Sequence, residues 1–394
     1  LLLLRLAAKY LSIYSFISRG TTANLLGSLW DFPELIENAG YPVETHHVVT
    51  EDGYILGVYR IPSSPVSPPS RKKPVAFLMH GLLSSCIDWV IAGPGKSLGY
   101  VLADAGYDVW MGNARGNTWS KNHTTSMSDR QFWKFSWHEI GVYDLPAMID
   151  YALAATGEKQ VVYVGHSQGT TSFFVMTSQR TEYNAKIKAM FAMAPVAYMG
   201  YLFSPVLRLA SLGTTPLSVM NELISTTILS LSSPLIRFCD EDALSQALCG
   251  NTLFLLCGFN RAQLNTTLLP EIFQYTPAGA ATRQLVHYGQ EIRSRRFRQY
   301  DLGRVENKVK YGRWTPPNYD MSLVTAPVHL IYSDNDWMAA VRDVTQLYNE
   351  LGNPIEMFRI PDPKWNHLDF IWGIDARKYI YDDIVATLRK RYSD

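Results

Sequence analysis

The chain has 394 residues, 47% of them hydrophobic and 12% aromatic, and Lys+Arg 36 against Asp+Glu 35 leave a formal net charge of +1. That length and apolar content suffice for a large core, in one α/β domain with an insertion or in two domains. The even balance of charge speaks against nucleic acid or any strongly charged partner, and no repeat period is visible. The chain opens Leu1-Leu2-Leu3-Leu4 without an initiator Met, and only Arg5 and Lys9 interrupt its first eleven residues. This run reads either as the remnant of a signal-peptide h-region or as an ordinary apolar helix. A membrane span needs about eighteen clean apolar residues. Val206–Phe238 comes nearest and carries Arg208, Pro216, Glu222 and Pro234. A soluble protein without a transmembrane anchor is expected.

In chain order, His47–Thr50 and Tyr54–Ile61 read as strands joined by the hairpin signal Glu51-Asp52-Gly53. Residues 62–69 hold four prolines and three serines and form an extended surface loop. Val75–Met79 is a buried strand ending in His80-Gly81-Leu82-Leu83. Helix is expected over Lys96–Ala105, strand over Tyr107–Met111 and helix over Asp144–Ala155. Strand Val161–Val164 then runs into Gly165-His166-Ser167-Gln168-Gly169, followed by helix to about Gln179 and strand Ala189–Ala194. Such alternation implies a mostly parallel sheet with ligands outside its carboxyl edge. From Pro195 to about Tyr311 the alternation vanishes. This insertion is too long for an unstructured loop and reads as a mainly helical cap. Its stretch Tyr201–Phe238, apolar yet broken by Pro and Ser/Thr, reads as a movable lid, and Arg293–Arg298 holds four arginines. Strand Val328–Tyr332, helix Val341–Leu351, strand Ile355–Ile360 and helix Ile374–Lys390 complete the alternation. The division is an N-terminal segment (1–47), a first core part (48–195), the cap (196–311) and a second core part (312–394).

The pentapeptide has the G-x-S-x-G spacing of a nucleophile elbow, in which a strained strand-to-helix turn projects the serine hydroxyl clear of the backbone. A bare match also arises by chance as a Gly/Ser turn; the strand before and the helix after favour chemistry. Residues two before and two after the serine come too close for side chains, so both are glycine. In an α/β-hydrolase layout the chain order is Ser, Asp/Glu, His. Asp334 and Asp336 both follow strand 328–332, and His367 follows strand 355–360, so spacing alone leaves the acid open between the two aspartates. Backbone N–H groups of Leu82 and Gln168 are the oxyanion candidates. His138-Glu139 begins like H-E-x-x-H, but Val142 stands where the second histidine is needed, so no zinc site follows. His46-His47 is expected at the surface. No dinucleotide or P-loop motif is present, and no metal or cofactor is expected.

The chain resembles the acid lipase family, the gastric and lysosomal acid lipases and their insect relatives. The matching blocks are Gly40-Tyr41-Pro42, Val49–Leu56, His80–Leu83, Asn113–Asn117, Phe135–Gly141, Tyr143–Ala147, the GHSQG elbow and Asn366–Phe370. They run from about Leu35 to the C-terminus, and the FSWHEIG and NHLDF blocks are the most specific. The resemblance implies an α/β-hydrolase fold: a mostly parallel central sheet flanked by helices, with an inserted helical cap and lid. It implies a secreted or lysosomal glycoprotein that hydrolyses triacylglycerols or cholesteryl esters at a lipid–water interface. FSWHEIG is read as structural, its rings packed and His138 hydrogen-bonded. The N-D-x-x-A pattern assigns the acid to Asp336, leaving Asp334 to cap the turn through an Asx-type bond.

Four cysteines in a chain this long make no disulfide framework. Cys239 and Cys249 match a disulfide-bonded pair in the cap of the resembling family, and Cys257 matches a free position. Cys86 is read as a small buried hydrophobe. Sequons occur at Asn122 and Asn265. The expectation is a lipase working through Ser167, Asp336 and His367. The alternatives are a carboxylesterase or thioesterase for smaller esters, and a non-enzymatic lipid-binding protein.

Overall fold

The computed structural model describes residues 32–70, 72–212, 227–228 and 254–393, all within one compact unit, Phe32–Asp394. The leucine-rich start, Cys239, Cys249 and most of the expected lid lie outside the described residues.

Side chains alternate across a strand, and here the alternation feeds two cores. In β3 (Val75–Met79), Val75, Phe77 and Met79 enter one cluster, and Ala76 and Leu78 the other. In β5 (Val161–His166), Val161 and Tyr163 join the first, Val162 and Val164 the second. A sheet covered on both faces has no polar side, which is why these strands are unbroken apolar runs. The remaining strands are β1 (Glu44–Val49), β2 (Tyr54–Ile61), β4 (Asp108–Gly112), β6 (Ile187–Met193), β7 (Val328–Tyr332) and β8 (Pro354–Arg359). Their order is β1-β2-β4-β3-β5-β6-β7-β8, with a two-residue strand, Asn122–His123, paired to β2. Strand β2 runs antiparallel to β1, to β4 and to the two-residue strand, whereas β4, β3, β5, β6, β7 and β8 pair in parallel.

Helices cover both faces. Helices α3 (Leu145–Thr156) and α4 (Gln168–Gln179) and the later α9 (Val341–Glu350) bury Leu145, Phe173, Val175 and Leu347 in the first core. Helices α1 (Phe32–Asn38), α2 (Leu98–Asp104) and α10 (Asp382–Arg391) bury Ile36, Leu102 and Leu388 in the second. Each such side chain contributes about 1.5–3 kcal/mol by leaving water. Between β6 and β7 the insertion contains α5 (Pro205–Leu212), α6 (Leu269–Tyr275), α7 (Thr282–Ser294) and α8 (Arg304–Tyr311). Most boundaries differ from the sequence reading by one or two residues, and two differ by more. Strand β1 begins at Glu44, because six residues pair in register with β2. The stretch expected as helix from Ile374 instead makes a π turn over Arg377–Tyr381 before α10 starts.

Three of the motif blocks meet in one ionic cluster. The Arg115 guanidinium, 1% exposed, lies 2.6 Å from Asp52 Oδ2 and 2.6 Å from Asp144 Oδ1. The Tyr54 ring sits 4.0 Å beneath it. A buried arginine needs such pairing on several sides. FSWHEIG has a comparable role: Trp137 stacks on His287 at 3.6 Å, His138 Nδ1 bonds Tyr319 Oη at 2.8 Å, and Glu139 accepts from Ser136 N. His47 is exposed as expected, but His46 is half buried, its ring 4.9 Å from Trp110.

Candidate active site

Strand β5 ends at His166 and α4 begins at Gln168, so Ser167 occupies the turn alone, at φ 52 and ψ −117. A non-glycine residue holds that conformation only when its surroundings enforce it. The flanking glycines show how. A Cβ on Gly165 would lie 2.9 Å from Gly169 C, and one on Gly169 would lie 2.2 Å from Met79 O. The first turn of α4 thus packs against the end of β3, and the serine is pressed toward the HGLL turn. A Cβ on Gly81 would lie 3.2 Å from Ser167 Cβ, which brings the Gly81–Leu82 backbone alongside the hydroxyl, while the helix start at Gln168 lies on its other flank. His80 anchors this turn: Nδ1–H donates to Gly81 O at 2.7 Å and Nε2 accepts from Ala114 N at 3.1 Å.

His367 and Asp336 arrive from loops after β8 and β7. His367 Nε2 lies 2.8 Å from Ser167 Oγ, and His367 Nδ1 lies 2.8 and 2.9 Å from the two Asp336 oxygens. All three residues are buried, Ser167 least so at 7% exposed. With Nδ1–H directed at a carboxylate, Nε2 is left as an acceptor for the serine hydroxyl. Asp336 Oδ1 also accepts from Met338 N at 2.9 Å and Ala339 N at 2.8 Å. The expectation for Asp334 needs correction here. Asp336 itself makes the Asx-type turn, and Asp334 pairs outward with Arg359, whose Nε lies at 2.9 Å. The loop turns the second aspartate inward, and β8 offers the first a cation.

Two neighbouring histidines stay neutral. Burial, and secondarily His367, pushes His166 down to about 3, and burial pushes His80 down to about 4. His166 Nε2–H donates to His367 O at 2.9 Å and so holds the backbone of the histidine loop.

Sequence reasoning missed the cap's part in the site. Cys257 O accepts from both Trp337 N and His367 N at 3.3 Å, tying the acid loop to the histidine loop. Asn260 Nδ2 and Asn366 N both donate to Asp369 Oδ2 at 2.8 Å. On α7, Gln284 Oε1 accepts from Gln168 Nε2 at 2.6 Å, and Tyr288 Oη lies 3.0 Å from Thr171 Oγ1. The only sequence signal was the presence of Asp369 in NHLDF; the partners are too distant to be read along the chain. Replacing Gln284 by Met should lower kcat on a soluble ester roughly three- to tenfold with KM little changed, since it leaves the residue beside the nucleophile with a buried amide unpaired. An unchanged kcat in a folded Gln284→Met enzyme would rule out this support.

Burial sets a pH dependence of stability. It pushes Asp369 up to about 7 and Asp88 up to about 6, against hydrogen bonds that favour the ionised forms. The native chain therefore holds these protons longer than the unfolded chain. Their contribution is fully present below the ordinary carboxylate value and is lost as pH rises through about 6 and 7. The unfolding midpoint should fall over that window, and Asp369→Asn should flatten the fall. An unaltered pH profile in the variant would show that Asp369 does not contribute.

Cys86 and Cys257 are buried free thiols. Asn122 is exposed and Asn265 half buried. No helix among the described residues is long and apolar enough to cross a membrane.

The strand order, and a Ser–His–Asp chain assembled at the carboxyl edge of the parallel strands, define an α/β hydrolase. Residues 74–374 match the family model described as alpha/beta hydrolase fold, and residues 32–93 the partial alpha/beta-hydrolase lipase region. The chain belongs to the lipases of the α/β-hydrolase fold family. It is 48% identical to Lipase 3 of Drosophila melanogaster, over 91% of this chain and 93% of that one. It is 40% identical to the human lysosomal acid lipase/cholesteryl ester hydrolase, over 91% and 90%. It is 38% identical to the gastric triacylglycerol lipase of Rattus norvegicus, over 90% of each chain. A putative lipase from Acinetobacter baumannii AYE shares the fold at a TM-score of 0.52 and 14% identity, covering 94% of this chain and 98% of that one.

Proposed function

We propose that this lipase hydrolyses long-chain esters of neutral lipids, triacylglycerol or cholesteryl ester, through an acyl-enzyme on Ser167. The observation that carries the reading is the unbroken chain from Ser167 Oγ through the His367 ring to Asp336, with 2.8 Å at each end. His367 Nε2 takes the hydroxyl proton as Ser167 Oγ attacks the ester carbonyl, and returns it to the leaving alcohol. Asp336 fixes the imidazole tautomer and stabilises the imidazolium. The Leu82 and Gln168 N–H groups hold the oxyanion, one such donor lowering the barrier by about 3 kcal/mol. Water then attacks the acyl-enzyme and releases the fatty acid. The names of the lysosomal and gastric relatives support both substrate classes and a secreted or lysosomal location. The Cys239–Cys249 disulfide and glycosylation at Asn122 and Asn265 belong to the same reading.

The test is a panel of emulsified long-chain esters and soluble short-chain esters, run across pH beside labelling by a fluorophosphonate probe. Labelling of Ser167 with preference for the emulsions supports the reading. Preference for soluble esters would favour the smaller-ester alternative, and failure to label would favour a binding protein. The lid is tested separately. Deleting residues 211–232, most of which lie outside the described residues, should cut activity on emulsions more than on soluble esters. Equal loss on both would count against a lid.

A further inference from the structure

The four arginines of Arg293–Arg298 have no part in ester hydrolysis, yet two of them are placed with care. Residues 297–299 run as an extended segment against residues 317–319: Tyr319 N donates to Phe297 O at 3.0 Å, and Gln299 N to Pro317 O at 2.9 Å. Extension puts Arg296 and Arg298 on one side and Phe297 on the other. Phe297 is 1% exposed and packs 5.6 Å from the Trp137 ring. His287 Nε2 donates to Arg298 O at 3.0 Å. The segment is therefore anchored in the aromatic core of FSWHEIG, and its outward side is rigid.

Arg313, just past the end of α8, completes the arrangement. Arg296, Arg298 and Arg313, with Thr315, Pro316 and Asn318, line an open crevice of about 380 Å³, a usual size for a small-ligand site. No carboxylate lines it; Asp301 accepts from Arg298 Nη2 at 3.1 Å and the Glu291 carboxylate acts on the same guanidinium, whose buried Nε has no hydrogen-bond partner among the described residues. Arg296 and Arg313 are exposed and have no carboxylate partner among the described residues. Such a surplus of guanidinium groups fits a phosphate.

The neighbouring surface says where that phosphate comes from. Val305 and Val309, one turn apart on α8, are 66% and 85% exposed, and Trp314 is 54% exposed. Arg304 and Lys308 lie 5.5 and 5.7 Å from the Trp314 ring. Exposed valines and a tryptophan bordered by cations are the pattern of a segment seated at the headgroup level of an anionic lipid surface. This surface is remote from the nucleophile. Gln299 Nε2 donates at 3.2 Å to Gln179, the last residue of α4, while Ser167 stands at that helix's first turn, about 18 Å away at 1.5 Å per residue.

We propose that Arg296, Arg298 and Arg313 bind the phosphate of an anionic phospholipid, with Val305, Val309 and Trp314 lying in the lipid surface. This is a second lipid contact, separate from the one that delivers substrate. The test is co-sedimentation with vesicles of phosphatidylcholine alone and of phosphatidylcholine mixed with phosphatidylglycerol. The ratio of the two affinities cancels binding through the active-site mouth. A charge near an anionic surface is worth roughly fivefold in affinity. Arg296→Gln/Arg298→Gln/Arg313→Gln should therefore lose on the order of a hundredfold of the preference for mixed vesicles. Hydrolysis of a soluble ester should be unchanged. Because Arg298 is partly buried, the double variant Arg296→Gln/Arg313→Gln, changed only at exposed positions, is read beside it and should lose on the order of twentyfold. Inorganic phosphate should displace the protein from mixed vesicles at lower ionic strength than chloride does. A preference that survives in the folded double variant would overturn the proposal. So would equal displacement by the two anions, which would leave only diffuse charge attraction, or the absence of any preference in the unaltered protein.

Discussion

Asp336→Asn should lower kcat on a soluble ester by roughly three to four orders of magnitude while the enzyme stays folded. The reason is the tautomer. An amide in place of the carboxylate can present an N–H to His367 Nδ1, which moves the ring proton to Nε2 and leaves no acceptor for the serine hydroxyl. In a serine protease the same change costs about 10⁴ in kcat. The turn itself should survive, because Asn keeps the oxygen that accepts from Met338 N and Ala339 N. Asp334→Asn provides the contrast. It breaks an exposed pair with Arg359, which solvent screens, and should leave the rate near normal. Circular dichroism on both variants separates catalysis from folding. A folded Asp336→Asn enzyme of normal rate would overturn the assignment, and an inactive Asp334→Asn enzyme would transfer the role.

Gly169→Ala should also be damaging, by a steric route, though less so. The new Cβ would sit 2.2 Å from Met79 O and 3.0 Å from His80 O, both backbone atoms that cannot swing aside. Relief requires α4 to lift from the end of β3 by about an ångström, carrying Ser167 and the Gln168 N–H with it. A misplacement of that size costs about 10² in rate. Gly157→Ala separates crowding from backbone strain. Gly157 has φ +77 but nothing within 4 Å of its Cβ position, so this variant should lose about 1 kcal/mol of stability and keep its kcat. Comparable rates in the two alanine variants would show that the contact with β3 does not position the nucleophile.

Local patterning made the frame legible. Val75–Met79, Gln168–Gln179 and Val328–Tyr332 have in the structure the bounds read from the sequence. Apolar runs of strand length and a glycine-flanked serine are dictated by short-range sterics and burial. The less accurate boundaries, β1 and the π turn before α10, lie where pairing and packing set the limits.

The sequence by itself determined the mostly parallel sheet and the order of serine, acid and histidine along it, because strand, turn and helix preferences act within a few residues. Residue spacing left the acid open between Asp334 and Asp336, and only the tertiary structure decided that Asp336 makes the Asx-type turn and that Asp334 pairs with Arg359, 25 positions away. It likewise decided that Gln284 reaches Gln168 across 116 positions and that Asn260 reaches Asp369 across 109. A hydrogen bond has a strict length and direction, and it leaves no trace in the spacing of two residues that meet only when the cap closes onto the sheet.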